Sequence, residues 1–161
     1  MNELMIALEA MDPNALAAAI ATSVGLIAII ALSGLIRYLM IAIGYSKMYR
    51  KAGESGWKAF IPVFNTYTNY KISWNGKLFF LYAALFIASS FLGSAEGAMA
   101  LAAGAVSLGI IILAVMQNVK MAKCFGKGAG TGILLILFPG ITSLVLGLGK
   151  AEFLGNEIEN D

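Results

Sequence analysis

The chain has 161 residues, of which 60% are hydrophobic and 12% charged, with a formal net charge of +2. A soluble domain carries about 25% charged residues to cover its surface, and a disordered chain combines low hydrophobicity with high net charge. Both classes are excluded, which leaves an integral membrane protein.

The first predicted element is a membrane span at about 14–44. Ala15–Ile36 is a run of 22 residues without a charge, and about 20 are enough to cross the hydrocarbon core. Asp12 is placed to cap the helix, and Pro13 takes its first position. Apolar character resumes after Arg37 and runs to Gly44. A helix from Pro13 to about Ser46 would be near 50 Å long, so it must tilt or project. Its length and acidic N-terminal flank do not fit a cleavable signal peptide.

Next comes an aromatic and basic segment at 45–76. Fourteen of the seventeen aromatic residues lie between Tyr38 and Phe91. Trp57, Phe60, Ile61, Phe64, Tyr67 and Thr68 recur at spacings of three and four, one face of a helix. Pro62 cannot sit deep inside a regular helix. The prediction is a short, broken amphipathic helix at the cytoplasmic interface. Trp57, Phe60, Phe64 and Tyr67 would anchor it. Lys47, Arg50, Lys51, Lys58, Lys123 and Lys127 would meet anionic lipid head groups. The alternative is a ligand or partner surface of Asn65, Tyr67, Asn69, Tyr70 and Trp74.

Three more spans follow, at about 77–93, 97–118 and 130–149. The second is short and needs Lys77 to snorkel. The fourth carries Pro139-Gly140, a predicted kink. In the third, small residues recur four apart: Ala98 with Ala102, Ala100 with Gly104, and Ala105 with Gly109. Gly128 and Gly132 do the same at the start of the fourth. Such spacing lets helices approach closely in lipid, within one bundle or between copies. The expected fold is therefore all-α and integral to the membrane. It is a single domain of four transmembrane helices plus a cytoplasmic interfacial helix.

Charge placement orients these spans. Ten of the eleven basic residues fall at the end of span one or between spans one and two (Arg37 to Lys77), or between three and four. Eight of the nine acids lie before span one, between two and three, or after four. The positive-inside rule puts the basic segments in the cytoplasm and both termini outside. The charges do not suggest nucleic-acid binding.

Chemistry is sparse. There is no histidine and one cysteine, Cys124. This leaves no zinc set, no intrachain disulfide and no histidine-activated nucleophile. No metal, cofactor or catalytic residue is expected. The spans hold no Asp, Glu or Lys at central depth, where a proton-coupled transporter needs one. Ser23, Ser33, Ser89, Ser90, Ser107, Thr142 and Ser143 can bond to carbonyls of their own helices. Gln117 and Asn118, at the cytoplasmic end of span three, need no special role. The run Phe125–Gly132, FGKGAGTG, fits neither the Walker nor the dinucleotide template. It reads as a turn, with a lipid phosphate on its amides as the sharper alternative.

The two basic segments resemble each other: Met48-Tyr-Arg-Lys-Ala-Gly53 and Met121-Ala-Lys-Cys-Phe-Gly126. The first continues as Lys51-Ala-Gly-Glu-Ser-Gly-Trp57-Lys-Ala-Phe-Ile-Pro62-Val-Phe-Asn65. This resembles the K-A-G-x-x-G-W-x-x-x-I-P-x-x-N signature of an uncharacterised family of small bacterial membrane proteins. Ala122–Lys127 and Leu146–Gly149 resemble its second half, and the likeness spans roughly Tyr38 to Leu154. The resemblance implies a bacterial cytoplasmic-membrane location and no catalytic residues. Some members carry a signal peptidase I label. No Ser–Lys dyad sits in a plausible extracytoplasmic domain here, so that label does not transfer.

The expected function is a non-enzymatic structural or accessory role, by assembly with itself or with other membrane components. The alternative is a passive channel or small-solute transporter, with the broken fourth span lining a path. A membrane enzyme using Cys124, Glu54, Tyr or Lys at the cytoplasmic face is a third reading.

Overall fold

The computed structural model describes residues 12–92 and 97–156. Regular structure among them is helical: α1 (Pro13–Lys51), a 3-10 turn (Gly56–Phe60), α2 (Pro62–Ser73), α3 (Lys77–Leu92), α4 (Ala98–Cys124), α5 (Ala129–Leu137) and α6 (Pro139–Leu148). α1 and the Met99–Cys124 part of α4 are long and apolar enough to cross a membrane, and α3 and α6 are shorter apolar helices. The chain forms two compact units, one ending at Tyr38 and one running over Leu39–Asp161.

In the first unit α1 starts as the sequence predicts. The Asp12 carboxylate accepts the Asn14 amide at 2.9 Å, and its carbonyl accepts from Leu16. Pro13 has no amide to leave unsatisfied there. Side chains 17–38 are all exposed, Ile30 by 68%. The Thr22, Ser23 and Ser33 hydroxyls donate to the carbonyls of Ala18, Ala19 and Ile30. They are satisfied without water.

In the second unit burial is confined to the basic end. α3 has no buried residue, and α4 has none from Met99 to Met116. The core joins Tyr45, Met48 and Tyr49 of α1 to Ile72 of α2. Met121, Ala122 and Cys124 of α4, then Phe125, Leu135 and Leu146, complete it. Beyond it apolar groups stand open, Phe91 by 84% and Leu101 by 80%.

Backbones approach closely in this core at glycines. A Cβ on Gly147 of α6 would lie 2.5 Å from the Gly44 carbonyl oxygen of α1. One on Gly44 would lie 2.6 Å from the Ser143 carbonyl carbon, and one on Gly132 of α5 only 2.5 Å from the Val119 Cα of α4. Of the small residues expected to pack, Gly132 is at such a crossing, and Gly109 stands in ordinary contact distance of Leu85. Ala100, Ala102, Gly104, Ala105 and Gly128 are exposed. Ala98 opens α4, but its side chain lies outside the described set. Spacing puts small residues on one face; it does not say which face meets a partner inside the chain.

The two similar segments build the same cap. Glu54 donates its amide to the Tyr49 carbonyl at 2.8 Å, and Lys127 donates to Ala122 at 2.9 Å. Each bond spans five residues, as in a Schellman motif. The intervening Gly53 and Gly126 have φ of +74° and +66°, which a side chain would disfavour. Met48 and Met121, five residues before each glycine, are both fully buried. The weak sequence repeat is thus a structural repeat of two capped helix ends.

Two expectations are revised. The segment at 45–76 is not one broken helix. Ile61 is extended, with φ −111° and ψ 116°, as a residue before proline prefers. Pro62 therefore begins α2 instead of interrupting it, and Trp57 and Phe60 belong to the 3-10 turn. The fourth predicted span is two helices, α5 and α6, that meet at Phe138 and Pro139 and fold back. α5 starts against Val119 of α4 and α6 ends beneath Lys51, so both outer ends lie at the basic end. Leu154, whose amide bonds to Cys124, lies there too, not on the opposite side as expected. Without a Pro139 amide the Leu135 carbonyl loses its helical partner. The Thr142 hydroxyl reaches back to the Leu134 carbonyl at 3.0 Å.

The crossing at Gly44 and Gly147 yields a contrast. Gly147→Val is expected to cost about 3 kcal/mol through overpacking. Gly104→Val, with nothing within 4 Å of a new Cβ, should stay within about 0.5 kcal/mol. Thermal unfolding in detergent, followed by circular dichroism, measures both.

Candidate functional site

Two features at the basic end bear on function: a charged and aromatic shell, and a neutral cavity beneath it. In the shell, Lys47, Arg50, Trp57, Phe60, Phe64, Lys123 and Lys127 are exposed, and Tyr67 is half-buried. Trp57 and Phe64 meet edge to face with centroids 5.3 Å apart, although a proline separates their elements. Lys120 stands 5.2 Å from the Trp74 ring.

Three lysines at this end have structural duties. The Lys51 ammonium donates to the carbonyls of Leu146, Gly149 and Ala151, each at 2.8 Å. Those carbonyls follow or end α6, where helical partners run out and a cation is favoured. Lys51 therefore ties the end of α1 to the end of α6, and its ammonium does not face lipid as expected. Lys58 and Lys71 both bond to Glu54 at 2.5 Å. Burial disfavours the Glu54 carboxylate, but the hydrogen bonds and charges of Lys58 and Lys71 outweigh it. They hold its pKa below the ordinary carboxylate value. Glu54 raises the Lys71 pKa in return, first by its hydrogen bond and then by its charge.

The glycine-rich run closes the second helix cap. The Gly126 amide bonds to Lys123 and the Lys127 amide to Ala122, within the cap. Cys124 is buried, its sulfur 3.6 Å from the Ile72 carbonyl.

The cavity, about 330 Å³, lies between α2, α3, α4 and α5, with Tyr45 of α1 at its wall. Its polar lining is Tyr45, Thr66, Asn69, Tyr70, Tyr82, Gln117 and Asn118, and its apolar lining is Ala114, Leu135, Ile136 and Pro139. None of these carries a charge. Asn69 is held by a second row. The Tyr49 hydroxyl bonds to Asn65 and to the Asn69 side-chain oxygen, the latter at 3.0 Å, and Asn69 donates to Asn65. The Gln117 amide reaches the Ser73 hydroxyl at 3.4 Å. The Asn118 amide donates to the Ala114 carbonyl at 2.8 Å, which leaves its side-chain oxygen available.

Tyr70 is the exception. It is 2% exposed, and its hydroxyl has no partner among the described residues. A buried hydroxyl left so costs about 1–3 kcal/mol. Burial, with Tyr82 adding to it, pushes the phenol pKa to about 12, so it remains a neutral donor.

Of the surface expected from Asn65, Tyr67, Asn69, Tyr70 and Trp74, the structure gathers Asn65, Asn69 and Tyr70. Tyr67 packs instead on Phe79, with centroids 5.5 Å apart. Gln117 and Asn118, read as needing no role, line the cavity. Tyr45 and Tyr82 were not singled out. Uncharged hydrogen-bonding residues at the ends of apolar runs were the available signal.

Residues 57–156 match the model of a family described as "Family of unknown function (DUF5684)". The chain belongs to that family. The match starts at Trp57, so Trp57, Ile61, Pro62 and Asn65 of the quoted signature fall inside it. All the cavity residues except Tyr45 do so too. No curated protein and no solved structure matches the chain.

Two outcomes follow from the shell. Lys51→Met is expected to cost about 2–3 kcal/mol, because three carbonyls lose a charged donor, read as a lower unfolding midpoint in detergent. The Glu54 cluster should contribute up to about 1 kcal/mol. With its pKa lowered, that contribution is complete above the ordinary carboxylate value and fades as pH falls through the folded one. A pH series of unfolding midpoints on wild type and Glu54→Gln checks the sign: the two should converge in acid.

Proposed function

We propose that this chain is a multi-spanning membrane protein with a non-enzymatic structural or accessory role. The observation that carries the reading is the distribution of burial. α1 to Tyr38, all of α3 and the first two-thirds of α4 expose large apolar side chains, which water does not tolerate over such areas. Hydrocarbon covers them at no such cost. Three apolar segments fit the alternating charge pattern as crossings: the first part of α1, α3 and α4. α5 and α6 dip in and return, because α5 starts against Val119 and α6 ends beneath Lys51. Both basic segments then face the cytoplasm with Leu154, whose amide bonds to Cys124, on the same side, and the start of α1 faces outside.

The non-enzymatic part rests on the candidate groups themselves. Cys124 is packed in the core, and Glu54 is held by two lysines. Assembly with itself or with other membrane components is the use proposed for the exposed small residues Ala100, Gly104 and Ala105 of α4. A passive path for a small solute is the second reading. The break at Pro139 favours it, because interrupted helices line many membrane binding sites.

Cysteine labelling in intact cells, on a Cys124→Ser background, tests the reading. Ser94→Cys should react with an impermeant reagent from outside, and Ser55→Cys and Asn160→Cys only after the membrane is opened. Protection of Ser94→Cys from outside would overturn the topology. Crosslinking in native membranes should trap the chain with a neighbour; a species that stays monomeric would refute assembly.

A further inference from the structure

The shell explains how the basic end is held, yet it leaves the neutral cavity unused. Three features of the cavity define what would complete it. First, Tyr70 lines the space, and its buried hydroxyl has no hydrogen-bond partner among the described residues. Second, Asn118 commits its amide nitrogen to Ala114 and Gln117 bonds through its nitrogen to Ser73, so both present oxygens as acceptors. Third, no cation or anion lines the wall. A charged ligand would lose hydration there without a counter-charge.

A group that can both donate and accept at one atom suits this set, and a hydroxyl is that group. Tyr45, Tyr82 and Leu135 add flat or apolar wall against which carbon–hydrogen faces pack. The volume lies at the lower end of the range for small-molecule sites. We propose that the cavity binds an uncharged, hydroxyl-rich group of the glycerol type. Tyr70 is the anchoring donor, and Asn118 and Gln117 are the acceptors. Such a group could be the head of a neutral lipid or a free polyol. The inference rests on the membrane reading above, which the labelling pattern tests independently. Correct labelling without binding would sink this proposal alone.

The experiment uses the full chain in phosphatidylcholine nanodiscs. Monoolein, a neutral lipid with a glycerol head, is probed by native mass spectrometry. Free glycerol is probed by saturation-transfer NMR. Wild type should bind at least one probe. Tyr70→Phe should weaken that binding roughly 3- to 10-fold, the loss of one hydrogen bond. Without probe, Tyr70→Phe should unfold no earlier than wild type, since it removes an unsatisfied hydroxyl. Ala114→Phe should fill the cavity and abolish binding. Binding of monoolein alone assigns a lipid head group, and binding of glycerol assigns a free solute. Binding of neither probe by wild type overturns the proposal. So does binding that Tyr70→Phe leaves unchanged, a result that stands even if Ala114→Phe fails to fold.

Discussion

The basic end depends on how closely its helices pass. At Gly44 and Gly147 the backbones of α1 and α6 lie nearer than any side chain would allow. That approach brings the end of α6 beneath Lys51, whose ammonium then reaches three carbonyls at once. Close packing and polar bonds join these helix ends. A second approach, Gly132 on Val119, brings α5 against α4. Those two crossings set where Leu135 and Leu146 enter the core, and where Pro139 meets the cavity.

Polar groups divide by depth. Along the exposed apolar lengths, serine and threonine hydroxyls fold back onto their own helices: Ser23, Ser33, Ser89, Ser90 and Ser107 each bond to a carbonyl three or four residues earlier. At the basic end the polar groups instead reach between elements. Tyr49 bonds to Asn65 and Asn69, Gln117 to Ser73, and Glu54 to two lysines. The first kind of bond leaves a helix free to face lipid. The second kind fixes one arrangement of several helices, and it leaves the buried Thr68 and Tyr70 hydroxyls without a partner among the described residues.

The capped helix ends show how much a short motif carries. Met48 to Gly53 and Met121 to Gly126 look only loosely alike as letters. They agree where the geometry is demanding: a buried methionine, a glycine at positive φ, and a backbone bond across five residues. The residues between them differ because they serve different neighbours. Lys51 caps α6, whereas Cys124, in the equivalent place, sits against α2 and offers its carbonyl to Leu154.

What the sequence determined by itself was class and local detail. Scarce charge and long apolar runs predict apolar helices, and α1 and α4 are long and apolar enough to cross a membrane. Asp12 and Pro13 start α1 as read, and the self-satisfied hydroxyls follow from near neighbours alone. Tertiary structure decided what depends on contacts distant in the chain. Lys51 serves α6, about a hundred residues away. The small residues that carry crossings are Gly44, Gly132 and Gly147, while most of the α4 stripe stays open. Spacing fixes which residues share a face, but only the meeting of two backbones decides which face is buried. For the same reason Gln117 and Asn118 looked idle in the sequence and became the wall of a cavity in the fold.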